Sequence, residues 1–117
     1  MIFVTVGTFP LPFDRLLAAV DGVSVDETWG EDVFIQTGMS RYEPKRFPWA
    51  RMLGKHEYDN VFRNARAIVG HAGMGTIAMA LQLGKPLLVM PRLKRFGEVV
   101  NDHQVDIARR FAEAGHV

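Results

Sequence analysis

Hydrophobic and polar positions alternate in blocks along this chain. Short apolar runs end at glycine or proline, and segments with apolar residues at helical spacing lie between them. Ile2 to Val6 is a β-branched and aromatic run that stops at Gly7, the pattern of a buried strand entering a turn. Phe13, Leu16, Leu17 and Val20 recur at helical spacing, with Gly22 where a stop is expected. Val33 to Gln36 predicts a second strand, followed by Thr37-Gly38 and a polar, proline-containing loop from Ser40 to Pro48. Trp49 to Leu53 reads as a brief strand. Glu57 to Ala65 reads as a helix with Tyr58, Val61 and Phe62 inward. Ala67 to Val69 is a strand, Gly75 to Leu83 a helix stopped by Gly84, and Pro86 to Met90 a strand closed by Pro91. From about Val99 to Ala114, the residues Val100, Val105, Ile107, Ala108 and Phe111 predict one long amphipathic helix ending at Gly115.

Strands alternating with helices imply a mostly parallel sheet with helices on both faces, because parallel neighbours need crossover connections. The expected class is α/β, Rossmann-like. Ligands of such sheets bind beyond the carboxyl ends of the strands, which puts Gly7, Gly38, His71 and Pro91 around one expected crevice.

The length of 117 residues fits one domain over 1–117. A further strand is expected where the chain stops at Val117, so the domain is expected to be truncated or completed by a partner. Composition adds exclusions. At 48% hydrophobic and 23% charged residues the chain is ordinary for a packed globular domain. A net charge of +1 supplies no field that would attract nucleic acid. The absence of cysteine rules out disulfides and thiolate metal sites and fits the cytoplasm. No apolar run approaches the roughly 20 residues that span a bilayer.

The chemistry concentrates in Ile68-Val69-Gly70-His71-Ala72-Gly73-Met74-Gly75-Thr76, a strand passing through a glycine-rich turn into a helix. Two readings fit it. In one, Gly73 and Gly75 let a phosphate approach the helix N-terminus, with His71 and Thr76 as further donors. In the other, the glycines only make a tight turn and Thr76 caps the helix. The spacing lacks the lysine of a P-loop and misses G-x-G-x-x-G, so neither an ATPase nor a dinucleotide site is expected. Arg92, with Lys94 and Arg95, follows the next strand and is either an anion contact or part of a solvated turn. Asn101-Asp102-His103-Gln104 groups four hydrogen-bonding side chains, more than a single helix cap needs, and suits sugar hydroxyls. Gly7-Thr8 is a weaker second phosphate turn. Asp14 and Arg15 read as surface or capping residues, and Trp49, Phe62 and Phe96 as core or interface aromatics. His56 and His116 have no partners at metal-ligand spacing, no nucleophile set can be assembled, and no catalytic residue or metal ligand is assigned.

Taken in order, IFVTVGT, QTGMSRYEPK, IVGHAGMGTI, GKPLLVMPR and GEVVNDHQ resemble the C-terminal domain of family 28 glycosyltransferases. The likeness covers nearly the whole chain. Within the family it is greatest to small bacterial exopolysaccharide proteins related to the nucleotide-sugar half of the dolichol-linked N-acetylglucosamine transferase. The resemblance implies a single GT-B domain binding a nucleoside diphosphate sugar, UDP-linked in most relatives, with no other cofactor. It implies diphosphate contacts from Gly7, Thr8, His71, Gly73, Gly75, Thr76 and Arg92, sugar contacts from Asn101, Asp102, His103 and Gln104, and base contacts near Met52 and Leu53. It also implies an inverting transfer to a lipid-linked or polysaccharide acceptor held by a membrane-associated partner subunit, which would recruit the chain to the inner face of the membrane. A non-catalytic nucleotide-sugar-binding or regulatory module is the alternative. Its motive is Met79, which stands where many relatives carry the glutamate that holds the ribose; Glu98 is one residue that could replace that carboxylate.

Overall fold

The computed structural model describes residues 1–8, 10–22 and 31–115; His116 and Val117, named above, lie outside them. The elements run β1 (Ile2–Thr5), α1 (Asp14–Asp21), β2 (Val33–Gln36), β3 (Trp49–Ala50), α2 (Lys55–Asn64), β4 (Ala67–His71), α3 (Met74–Gln82), β5 (Leu87–Met90), a 3-10 turn (Lys94–Phe96) and α4 (His103–Glu113).

Among the described residues the five strands are all parallel, in the order β3-β2-β1-β4-β5. Registers are tight: Thr5 stands opposite Gln36 on one side and Gly70 on the other, and His71 opposite Met90. The chain moves outward from β1 through β2 to β3, then returns to the far side of β1 as β4. The strand order therefore reverses between β1 and β4, the place where open α/β sheets leave a crevice.

Alternation along β1 divides the core. Phe3 faces the cluster built from Phe62 of α2, Ile77 and Ala80 of α3, and Ile68 and Leu87 of the sheet, with Ile107, Ala108 and Phe111 of α4 packed against it. Val4 and Val6 face the other cluster, with Phe13, Leu16 and Leu17 at α1 and Val33 and Ile35 of β2. Helices thus cover both faces, as the period-2 strands and the helical apolar spacing require.

Three expectations change. The strand expected over Trp49 to Leu53 is two residues long. The last helix starts at His103 rather than near Val99, because the chain first makes a 3-10 turn that ends at Gly97, whose φ is +69°. Among the aromatics, Phe62 is core and Trp49 packs half-buried on the second cluster. Phe96 is exposed, with the guanidiniums of Arg15 and Arg95 over its ring.

Candidate functional site

At the reversal point the turns after β1 and β4 and the start of α3 surround an open cleft of about 550 Å³. Gly7, Thr8, His71, Gly73, Gly75, Thr76 and Gln104 line it, together with Pro10, Tyr58, Met74 and Met79. Six of the seven residues expected at a diphosphate come together here, and one of the four expected at a sugar. Gly38 and Pro91, expected around the same crevice, do not line it.

The glycine turn works by absence. Gly73 precedes α3 with no side-chain cap, so the first N–H groups of the helix lack intrahelical partners. A Cβ on Gly75 would meet nothing within 4 Å; that residue leaves open the space in front of the helix end. Thr76 is in the first turn rather than at the cap, and its hydroxyl lies 3.3 Å from His71 Nε2. The capping role considered for Thr76 is therefore not what the fold uses.

His71 is the last residue of β4 and is 9% exposed. Burial, with the nearby Arg92 guanidinium adding to it, pushes its pKa down from 6.5 to about 4, so the ring is neutral at pH 7 and has one N–H to offer.

Arg92 corrects the expectation of an anion contact. It is fully buried. Nη1 donates to Leu11 O at 2.9 Å and Glu98 O at 3.0 Å, Nη2 donates to Val6 O at 2.9 Å, and the guanidinium lies over the Phe13 ring. It ties the loop after β5 to the turn after β1 from inside the fold. Glu98, considered as a ribose ligand, is buried too. It accepts from Arg15 Nε and Nη2 and from Leu93 N, so its carboxylate is committed to the fold.

The quartet before and within α4 also divides. Asn101 Oδ1 accepts from His103 N, and Asp102 Oδ1 from Lys94 N, both at 3.0 Å. These are turn contacts, and Asn101, Asp102 and His103 are exposed outside the cleft. Gln104 alone turns inward: its Oε1 accepts from Arg92 N at 3.0 Å, and its Nε2 lies 3.5 Å from His71 Nδ1.

Met52 and Leu53 follow β3 and do not line the cleft; Met52 is exposed and Leu53 packs on the first core cluster. Gln36 links that region to the cleft, since its Nε2 donates to both Arg51 O at 2.9 Å and Gly7 O at 3.2 Å. The residue that sequence reasoning missed is Tyr58, taken there only as an inward helix position. Its hydroxyl is 3.3 Å from Thr5 Oγ1. Thr5 already donates its proton to Gln36 Oε1 at 2.7 Å, so Tyr58 must be the donor to Thr5, and it shows the cleft an acceptor oxygen. Tyr58 spaced four residues before Phe62 gave a helical face, and nothing in that spacing pointed to a cleft.

Among the described residues no group of three or more His, Asp or Glu side chains is gathered closely enough to hold a metal ion, and no helix is long and apolar enough to cross a membrane.

The family model for the glycosyltransferase family 28 C-terminal domain matches residues 1–117. The chain is similar to the UDP-N-acetylglucosamine transferase subunit ALG13 of Mus musculus, at 32% identity over 124 residues, covering 98% of this chain and 10% of that protein. It is similar to the subunit of the same name in Homo sapiens, at 30% identity over 125 residues, covering 99% of this chain and 10% of that protein. The chain thus spans about a tenth of the length of these curated relatives. Neither relative's name carries the exopolysaccharide role that the resemblance implied. No solved structure matches the chain.

Proposed function

The chain belongs to the glycosyltransferase family 28 C-terminal domains, and from that premise we propose that it is the donor-binding half of an inverting glycosyltransferase, taking a UDP-linked sugar in the cleft between β1 and β4. One observation carries the reading: the uncapped start of α3, Gly75 with open space before it, and the His71 and Thr76 donors all meet at the strand-order reversal. A diphosphate there gains oriented N–H groups and the positive end of the helix dipole.

In transfer, negative charge grows on the departing diphosphate as the acceptor oxygen attacks the anomeric carbon from the opposite face. Donors already aimed at that charge stabilise the transition state without reorganising. The Thr76 hydroxyl, held by His71, and the α3 N–H groups fill this role. Tyr58 supplies an acceptor for a ribose hydroxyl in place of the carboxylate that Met79 cannot provide. The base extends toward Met52 and Leu53, along the line on which Gln36 joins the two loops.

The general base and the acceptor site belong to a membrane-associated partner subunit, which brings this chain to the cytoplasmic face of the membrane. The acceptor is lipid-linked or a polysaccharide. Support for a partner comes from the relatives, which are named as subunits. A second reading, a nucleotide-sugar-binding module without catalysis, draws on Met79, which lines the cleft.

Thermal shifts against UDP-, GDP- and TDP-sugars test the site, with a UDP-sugar expected to raise the melting temperature most. Sugar transfer assayed with and without the acceptor-binding subunit separates the readings. Turnover only with the subunit supports the enzyme half, binding without turnover supports the module, and no stabilisation by any nucleotide sugar removes both.

A further inference from the structure

Gln104 occupies an unusual position for a ligand contact, because both ends of its amide are engaged inside the fold. A backbone N–H can only donate, so the Gln104 atom 3.0 Å from Arg92 N must be the amide oxygen. The amide NH2 is then turned toward His71 Nδ1, at 3.5 Å the long end of a hydrogen bond. A ring nitrogen facing an NH2 group must present its lone pair, so the imidazole proton is on Nε2. Nε2 in turn faces Thr76 Oγ1. With Nε2–H donating, the Thr76 hydroxyl accepts there and keeps its own proton to give.

We infer that Gln104 is a positioning residue that acts through His71: it sets the imidazole tautomer so that the wall of the cleft beside the α3 N-terminus presents donors only. The chain of contacts runs from Arg92 N–H through the Gln104 amide and His71 to Thr76. Its origin is rigid, since the Arg92 side chain is held by the carbonyls of Val6, Leu11 and Glu98. Its middle is confined, since Gly7 and Gly73 both lie so close to the imidazole that neither leaves room for a Cβ. In the other tautomer Nε2 would accept the Thr76 proton, leaving that hydroxyl only lone pairs to turn toward an incoming anion. The tautomer stands on the geometry alone; its use for a diphosphate rests on the proposed function. Gln104 thereby serves the phosphate end of the donor, a different task from the sugar contact that the resemblance implied.

The direct test is a long-range proton-nitrogen NMR correlation on apo protein with nitrogen-15 histidine at pH 7, with the His71 signals assigned from His71→Asn. Wild type is expected to show His71 as the Nε2–H tautomer. Gln104→Leu removes the NH2 and is expected to give a mixture. Gln104→Glu keeps an acceptor for Arg92 N–H but faces Nδ1 with a carboxylate oxygen, and is expected to protonate Nδ1; it serves also if Gln104→Leu does not fold. An Nδ1–H tautomer in wild type, or an Nε2–H tautomer unmoved in a folded variant, overturns the inference. Titration with inorganic pyrophosphate reads the consequence: Gln104→Leu should weaken binding roughly five- to tenfold, and a UDP-sugar by the same factor. Loss for the UDP-sugar with pyrophosphate unchanged returns Gln104 to the sugar and overturns the inference. A wild-type protein with the Nε2–H tautomer that binds neither pyrophosphate nor nucleotide overturns the proposed function and leaves the tautomer assignment in place.

Discussion

Gly7 lies against the imidazole of His71, so close that a methyl group on Gly7 would overlap Nε2 and stand 2.9 Å from Cε1. The turn after β1 is thereby shaped by a side chain at the end of β4, and Gly7 also takes a φ of +75°. Gly7→Ala is expected to add backbone strain of roughly 1 to 2 kcal/mol and overpacking of a further 1 to 3 kcal/mol or so. Gly84 has a φ of +65° with open space around it, so Gly84→Ala isolates the strain. Thermal melts should show Gly7→Ala losing clearly more than Gly84→Ala; equal losses would mean that the ring moves aside freely.

Gly75 offers the opposite case. It lies within the first turn of α3 at no positive φ, and a Cβ there meets nothing. Gly75→Ala is expected to stabilise the free protein by about 0.5 to 1 kcal/mol, since glycine is the costlier helical residue. The same methyl stands in the path proposed for the diphosphate, so UDP affinity should fall. Calorimetric titration beside a melting curve reads both signs. A stabilised variant with unchanged UDP affinity would take the helix end out of the site.

The buried imidazole makes acid stability a property of the site. An unfolded chain protonates His71 near 6.5, the folded one only near 4. Between those values the unfolded state binds more protons, so the stability associated with a neutral His71 is complete above pH 6.5 and is lost as pH falls toward 4. The full loss is roughly 3 kcal/mol. Denaturant unfolding of wild type and His71→Asn should therefore converge in favour of the variant on acidification from pH 7 to pH 4. Parallel pH profiles would show that His71 takes up its proton in the folded state as readily as in the unfolded one.

Tyr58→Phe keeps the ring contacts with Phe3 and Phe62 and removes the acceptor oxygen in the cleft. UDP affinity is expected to drop about three- to tenfold, the range for one neutral hydrogen bond. The variant should lose its discrimination between UDP and its 2′,3′-dideoxy analogue. If wild type already binds the two alike, Tyr58 does not read the ribose.

Arg92→Met should act on folding before it acts on ligand. The buried carbonyls of Val6 and Glu98 and the half-buried carbonyl of Leu11 each lose a charged donor, a loss of roughly 3 kcal/mol or more. Chemical denaturation measures it. A variant as stable as wild type but unable to bind UDP would restore Arg92 to the list of anion contacts.

Much of this protein is written locally in its sequence. Apolar runs cut by glycine or proline placed β1, β2, β4 and β5, and helical spacing placed α1, α2 and α3, because strand and helix periods depend only on near neighbours. The turn from His71 to Thr76 was legible for the same reason: strand, glycines and helix start are contiguous. The long-range pairings were not. The choice of β4 as the second neighbour of β1 put Gly7 against His71 and opened the cleft at that junction. The side-chain roles at Arg92, Glu98 and the Asn101–Gln104 stretch followed from what each side chain met after folding. A buried Arg92 holding four carbonyls and an exposed arginine awaiting a phosphate have the same letter and the same flanking residues. Only packing decides which groups surround the guanidinium, and therefore which charge or carbonyl it answers.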